Sequence, residues 1–484
     1  MSTTLCEFTD RIRSLLTAGV LPDIADWKLE IEHERKLERY YVAEAVEQAR
    51  FVVSLAARIT LYIDRMETDG TRVRGIATAT LYPAHSDDEL LAILQRATAA
   101  ARISKNPWFD LVEPAAGQAS SASSLEQLER TAAEAATINT SSMLDTAASA
   151  LFAPARSPAS VEQGSPSNYE ENSPCVRINS LEVFASSVHH ALLNSRGLCC
   201  TSCIPKCSTE FVTEARQGSN IVELFDALSC STIDKDRLSQ ATATRLSQVL
   251  DRLQARPLPH IHQLPVIFSG REAEDLFGWF FGITRTNLVY SKASPYVQGT
   301  RIQGNRQGNN LESRMKAGSV LSPDSLTLFA EPILAGLPQS RSYDSDGFPL
   351  AKTLVIEKGV VKALTGPVRH ADWLGVPRHG EFQLFSVEPG SATAKALCSI
   401  PHLRPVVFSD FSVSPLTGDF GAEIRLAYLY DGTGTFALTG GSLSGSLPQL
   451  QHTMRWSMER TIKSRSLSPD LLMLEGVSIT PAGE

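Results

Sequence analysis

The segment "DWKLEIEHERKLERYYV", residues 26 to 42, alternates apolar and charged side chains along its length. That period of two belongs to a strand with one covered and one wet face, so the chain must supply neighbours and a covering layer for it. "RFVVSLAARITLYIDR" and "TRVRGIATATLYPA" read as the next two strands, joined by the turn "METDG". "SDDELLAILQRATAAARI" follows with the period of a helix, Ser86 at its N-cap, acids in its first turn and Arg102 near its end. Residues 5 to 18 form a further helix, with Leu5, Phe8, Ile12, Leu15 and Leu16 at helical spacing. Residues 1–112 are therefore an N-terminal α+β domain, a twisted antiparallel sheet with helices against it.

From 113 to 175 the composition shifts to Ala, Ser, Thr and Pro, a helical and loop linker. "SSLEQLERTAAEAATINTSSMLDTAASALF" reads as two helices, and "APARSPASVEQGSPSNYEENSP" as an exposed loop too poor in apolar residues to pack. A second α+β segment spans 176–264. It holds His189 and His190 in a helix, and the amphipathic helix "IDKDRLSQATATRLSQVLDRLQ" with Leu238, Ala241, Leu246, Val249 and Leu253 on its apolar face. Residues 265–484 form a strand-rich C-terminal domain of antiparallel hairpins. One of them turns at Lys358-Gly359 and another through Asp431-Gly432. Single helices interleaved with antiparallel pairs make the fold class α+β rather than a doubly wound parallel sheet.

A length of 484 residues with 43% apolar and 20% charged residues suits a globular chain with sizeable cores. The net charge of −8 speaks against a general nucleic-acid binder, whose affinity comes from clustered Lys and Arg. The first residues carry Asp10, Arg11 and Arg13 where a signal peptide needs an apolar run, and the apolar stretch around "RFVVSLAARITLYI" is cut by Arg58. A cytoplasmic address with no membrane partner is expected.

Eight cysteines do not make a disulfide scaffold in a chain of this size. Four crowd into "GLCCTSCIPKCS": Cys199, Cys200, Cys203 and Cys207. They read either as a thiolate metal site or as a strand with Cys199, Cys203 and Cys207 on one face. The absence of a nearby second Cys or His pair favours the strand. The G-x-G stretches "DGTGTF" and "TGGSLSG" sit in hairpin turns and open no helix, so they are poor phosphate cradles. "GGSLSG" likewise lacks the strand–elbow–helix setting of a hydrolase serine. His260, His262, His370 and His379 have no evident companion ligands.

"LPVIFSGREAEDLFGWFFG", residues 264 to 282, is a buried strand running into a helix that opens on acids and continues apolar. A zinc hydrolase needs three protein ligands and a base. Only a base candidate, Glu272, is present, and Arg271 repels a cation beside it. By its residues alone this helix is not a metal site.

The order of these segments resembles the TldD/PmbA family, formerly described as modulators of DNA gyrase and now regarded as cytoplasmic metallopeptidases. The resemblance runs through "GIATATLYPAHSDDELLAILQRATAAARISKNPWFDL", the "NSRGL" turn, "LPVIFSGREAEDLFGWFFG" and "YSKASPY". "SYDSDGFPLAKTLVIEKGVVKALTG", residues 342 to 366, is the most specific stretch, and "VEPGS" and "TGDFGAEIRLAYLYDGTGTFALTGGSLSGSL" follow in family order.

The resemblance implies two branches that pair as a heterodimer. The TldD branch carries His-Glu-x-x-x-His and a late Cys that bind a catalytic metal. Here those His positions are held by Arg271 and Leu276, only Glu272 is retained, and the last cysteine is Cys398. The pattern is that of the PmbA (TldE) branch. It implies no catalytic residue, no metal ligand and no cofactor in this chain, with a zinc-type metal on a TldD-like partner subunit. Unfolded peptide is the implied substrate of the pair. The alternatives are a self-sufficient peptidase with another site, and a homodimeric peptide-binding protein without catalysis.

Overall fold

β1 (Asp26–Val42) lies at the centre of a seven-stranded sheet. On one side it pairs antiparallel with β2 (Ala45–Met66), which in turn pairs with β3 (Arg72–Leu81). Its other side pairs with β4 (Cys175–Asn194), followed by β5 (Cys199–Gln217) and β6 (Asn220–Cys230). This computed structural model describes residues 5–114, 121–156, 174–261, 264–303 and 322–483. The segments 1–112 and 176–264 were read as separate units, yet their strands build one sheet. Alternation tells which face of a strand is covered but not which strand lies beside it, and β1 and β4 are far apart in sequence.

His189 and His190 lie in β4 and not in a helix. Leu181, Val183, Ala185, His189 and Ala191 are buried while Glu182, Phe184, Val188 and His190 are less so, a period of two. The β-branched Val183 and Val188 suit that geometry. The "NSRG" turn before β5 is in place, with Gly197 at φ +86. In β5 the thiols of Cys199 and Cys203 are four residues apart, about 13 Å along a strand, which is too far to share one metal ion. Cys207 stands directly opposite Cys230 of β6.

Helices α1 (Leu5–Thr17), α2 (Asp87–Ile103), α3 (Ser121–Thr137), α4 (Thr140–Phe152) and α5 (Lys235–Leu253) cover this sheet. Ser86 caps α2 as its sequence predicts: its Oγ accepts from the Glu89 amide and the Glu89 carboxylate accepts from the Ser86 amide. Such a box contributes about 1 kcal/mol. The apolar face of α5 buries Leu238, Leu246, Val249 and Leu253, but Thr242 takes the fully buried place expected for Ala241. The Thr242 hydroxyl is satisfied by the Leu238 carbonyl one turn back. The loop stretch at 157–173 and His262 lie outside the described residues.

The C-terminal region places one helix between two sheets. β7 (Val266–Ser269) belongs to a nine-stranded sheet and leads into α6 (Gly270–Ile283). A six-stranded sheet lies on the other side and includes β8 (Leu328–Glu331), β9 (Leu384–Val387) and, after the nine-stranded sheet's long hairpin β10 (His402–Val413) and β11 (Asp419–Tyr430), the strand β12 (Ser466–Pro469). Pairing is mostly antiparallel, with parallel contacts between β7 and β10 and between β9 and β12. Leu276, Phe277 and Phe280 of α6, Phe268 and Leu403 of one sheet, and Leu328 and Phe385 of the other share one core. A helix apolar on nearly every side is stable only when enclosed in this way. Lys358 and Gly359 turn their hairpin with φ of 46° and 77°, the backbone of a tight primed turn. Among the described residues no helix is long and apolar enough to cross a membrane.

His189 is fully buried opposite His33 of β1, and both its ring nitrogens lack a partner among the described residues. Burial, aided by His33, pushes its pKa down to about 4 from an ordinary 6.5. The unfolded chain therefore binds the proton more readily between those values, and stability falls as pH drops from 6.5 toward 4. We predict that urea unfolding at pH 7 and pH 5 will show a smaller loss for His189→Leu than for the parent, by roughly 1–2 kcal/mol. Equal losses in the two proteins would contradict the buried neutral imidazole.

Candidate functional site

Ser269 ends β7, and Gly270 at φ +59 turns the chain into α6. The three positions singled out in the sequence diverge from there. Arg271 extends into solvent with 79% of its side chain exposed, its nearest acid being Asp275 at 3.8 Å. Leu276 is fully buried in the shared core. Five residues advance an α-helix by about 500°, which sets these two positions some 140° apart around the axis. Glu272 lies between them, half-buried, and burial pushes its carboxyl up. Its own backbone amide and the Arg245 guanidinium of α5 oppose that rise.

A zinc site needs three or four donors converging at roughly 2.0–2.3 Å. An exposed cation, one carboxylate and a buried leucine do not provide them. Among the described residues no group of three or more His, Cys, Asp or Glu is placed to hold a metal ion. The metal implied by the family resemblance therefore does not fit the residues at this helix start.

What converges here is a different set. Glu274 is fully buried one turn into the helix. Its Oε1 accepts from the Arg465 amide at 2.8 Å and the Ser466 hydroxyl at 2.7 Å, and its Oε2 from the Ser464 hydroxyl. Arg465 reaches back along the helix to Asp275, Nη2 to Oδ1 at 2.7 Å, with its guanidinium 5.8 Å from the Phe385 ring. A Cβ added at Gly278 would stand 2.6 Å from Arg465 Nη2, so glycine there leaves room for the arginine to lie against α6. Asp275 is pushed up by burial, with Arg465 and Arg271 opposing.

Lys463 completes the cluster. It is buried, donates from Nζ to the Pro469 carbonyl at 2.6 Å, and burial pulls its ammonium down to about 8 against the pull of Glu274, Asp470 and Glu272. The helix start thus meets a lysine and an arginine from this chain's own 463–466 segment at Glu274 and Asp275. Glu274 was legible in sequence only as a favourable acid near a helix start. Its partners are some 190 residues away, and the one local hint was an acid amid residues that must be buried.

The remaining sequence candidates disperse. His260 is exposed, and His370 packs against Tyr290 and Trp373. "DGTG" is a turn in which the Asp431 carboxylate accepts from the Thr433 and Gly434 amides. In "GGSLSG" Gly440 and Gly441, both at φ +77, precede the strand Ser442–Ser446, so no hydrolase elbow forms.

Comparison with known proteins agrees with this architecture. Residues 261–481 match the family model described as the PmbA/TldA metallopeptidase C-terminal domain. The fold is similar to that of TldE from Thermococcus kodakarensis, at TM-score 0.70 and 14% identity, covering 98% of this chain and 100% of that one. It is similar too to a proposed DNA gyrase modulator from Bacteroides thetaiotaomicron, at 0.72 and 15% with both chains fully covered. A third similar structure is a proposed DNA gyrase modulator from Thermotoga maritima, at 0.70 and 12%, covering 97% of this chain and 100% of that one. No curated protein is significantly similar in sequence. The enclosed helix and its flanking sheets lie within the matched region, so residues 261–481 are a C-terminal domain of the PmbA/TldA metallopeptidase type, in a chain whose fold is that of TldE and its structural relatives.

Proposed function

We propose that this chain is the TldE-like, non-catalytic subunit of a heterodimeric metallopeptidase that acts on unfolded peptides. The observation that carries the reading is the start of α6. Positions 271 and 276 face different ways and carry a cation and an apolar side chain, and Glu274 and Asp275 are occupied by Ser464, Arg465 and Ser466. A carboxylate committed to three hydrogen bonds in a dry setting does not exchange them for a hydrated metal ion without losing that satisfaction. The helix in this subunit is a scaffold, and the catalytic metal belongs to a TldD-like partner.

An extended substrate or partner segment has a place to lie. Among the described residues, 45–56 of β2 pair with β1 only, since β3 begins its pairing at Ala57. Val46, Phe51 and Val53 are exposed along that stretch. A cavity of about 1300 Å³ opens beside it, lined among others by His33, Val53, Leu55 and Tyr82. Open strand edges bind extended chains through main-chain hydrogen bonds with little demand on sequence, which suits unfolded peptides. The subunit would close a peptide chamber around the partner's metal in the cytoplasm.

The isolated chain should contain no stoichiometric transition metal and should not cleave unfolded peptides. Mixing it with a His-Glu-x-x-x-His family member should give chelator-sensitive cleavage with the metal on the partner. Glu272→Gln should leave the mixture's turnover nearly unchanged, whereas loss of a general base costs about 100-fold or more. Elemental analysis and peptide digestion on each subunit and on the mixture check all three. Chelator-sensitive cleavage by this chain alone would overturn the reading.

A further inference from the structure

At the far end of α6 from Arg271, a cavity of about 320 Å³ lies between Arg285, Glu331, Gln339, Arg341, Asp344 and Glu381. Twelve helical steps, roughly 18 Å, carry the chain from Arg271 to Ile283, the last residue of α6, two positions before Arg285. The cavity is built by the acidic Gly turn of "SYDSDGFPL", whose Gly347 adopts φ +81 with its α-carbon against Leu198. Lys28 of β1 holds that turn through the Ser345 carbonyl at 2.7 Å and Asp346 at 3.0 Å.

The charges on the wall are not equally free. Asp344 accepts from the Asp346, Phe348 and Glu381 amides, each at 2.9 Å. Glu331 holds the Ser386 hydroxyl at 2.6 Å and Lys352 at 2.8 Å. Glu381 pairs with Arg285 at 3.4 Å, and Arg285 also donates to the Phe382 carbonyl at 2.9 Å. Arg341 is different. Among the described residues its side chain makes no ion pair, and its Nε is buried without a hydrogen-bond partner. Gln339 Oε1, on the same wall, is also buried and unpartnered. Buried polar groups are rarely left so, and two such groups on one cavity wall point to a ligand.

We propose that this cavity binds the C-terminal residue of a peptide, its α-carboxylate on the Arg341 guanidinium and its last amide N–H on Gln339 Oε1. A guanidinium matches a carboxylate in geometry and charge, and the orphan carbonyl oxygen requires a donor a short distance away. The last residue of a peptide carries both, on either side of its α-carbon. The cavity is at the small end of ligand pockets, which suits a terminal residue and not a folded chain. The inference rests on the peptide-handling reading and adds that this subunit anchors chain ends, away from the helix start.

The probe is a blocked tripeptide, acetyl-Ala-Ala-Phe, as the free acid and as the C-terminal amide, titrated calorimetrically into the full chain. The acid should bind at least about 10-fold more tightly than the amide, the worth of one charge-assisted pair. Arg341→Gln should erase that preference, and Arg341→Lys, which keeps the charge but not the planar fork, should retain part of it. Thermal unfolding of both variants verifies that they are folded, and the acid-to-amide ratio of the parent stands without any variant. Equal affinities, no saturable binding, a preference that survives Arg341→Gln, or displacement by acetate as effective as by the peptide acid would overturn the proposal. None of these would touch the pairing with a metal-bearing partner, which fails instead through metal or cleavage in the isolated chain.

Discussion

The Glu274 carboxylate, fully buried between two sheets, is the constraint around which the C-terminal region is arranged. Moving a carboxylate out of water is expensive unless its lone pairs are met by donors of good geometry. Here two serine hydroxyls and the Arg465 amide meet them, all from one turn leading into β12. That turn is thereby fixed against α6, and β12 extends the six-stranded sheet beside β9. The helix is consequently tied to one sheet through its acid and joined to the other by direct chain continuation from β7. Arg465 over Gly278 and buried Lys463 follow from the same turn.

Much of the fold was readable because its signals are local. The alternation in 26–42, the Ser86 capping box, the face of 235–253 and the Lys358-Gly359 turn each depend on residues within one or two turns of each other. What escaped depends on distance. "VHHALL" satisfies a helix and a strand equally well until Val183 and Val188 are seen against the β1 register. The union of two segments into one sheet rests on β1 pairing with β4 across more than a hundred residues, and no periodicity reports that. Arg271, Glu272 and Leu276 were recognisable as positions, but their divergence around α6 and the commitment of Glu274 to a loop 190 residues away were not. The Arg341 cavity was foreshadowed only by the stretch 342–366, whose acidic turn shapes it.

These arrangements divide the molecule's tasks by location. At the helix start charge is satisfied internally, with carboxylates matched to an ammonium, a guanidinium and hydroxyls of the same chain. At the other end, on the buried wall of the Arg341 cavity, and along the open edge of β2, hydrogen-bonding capacity is left without a partner among the described residues. The proposed role, shaping a chamber for extended chains while a partner performs the chemistry, calls for that combination.

The central claim is that α6 begins as a scaffold organised by Glu274 and not as a cation site organised by Glu272. Equilibrium urea unfolding of Glu274→Gln and Glu272→Gln at pH 7 tests it most directly. Glu274→Gln swaps an acceptor oxygen for a donor nitrogen among three hydrogen-bond donors, and should cost roughly 2–4 kcal/mol. Glu272→Gln removes a charge that burial disfavours and should be neutral or mildly stabilising. A large loss at Glu272 with little change at Glu274 would contradict the account.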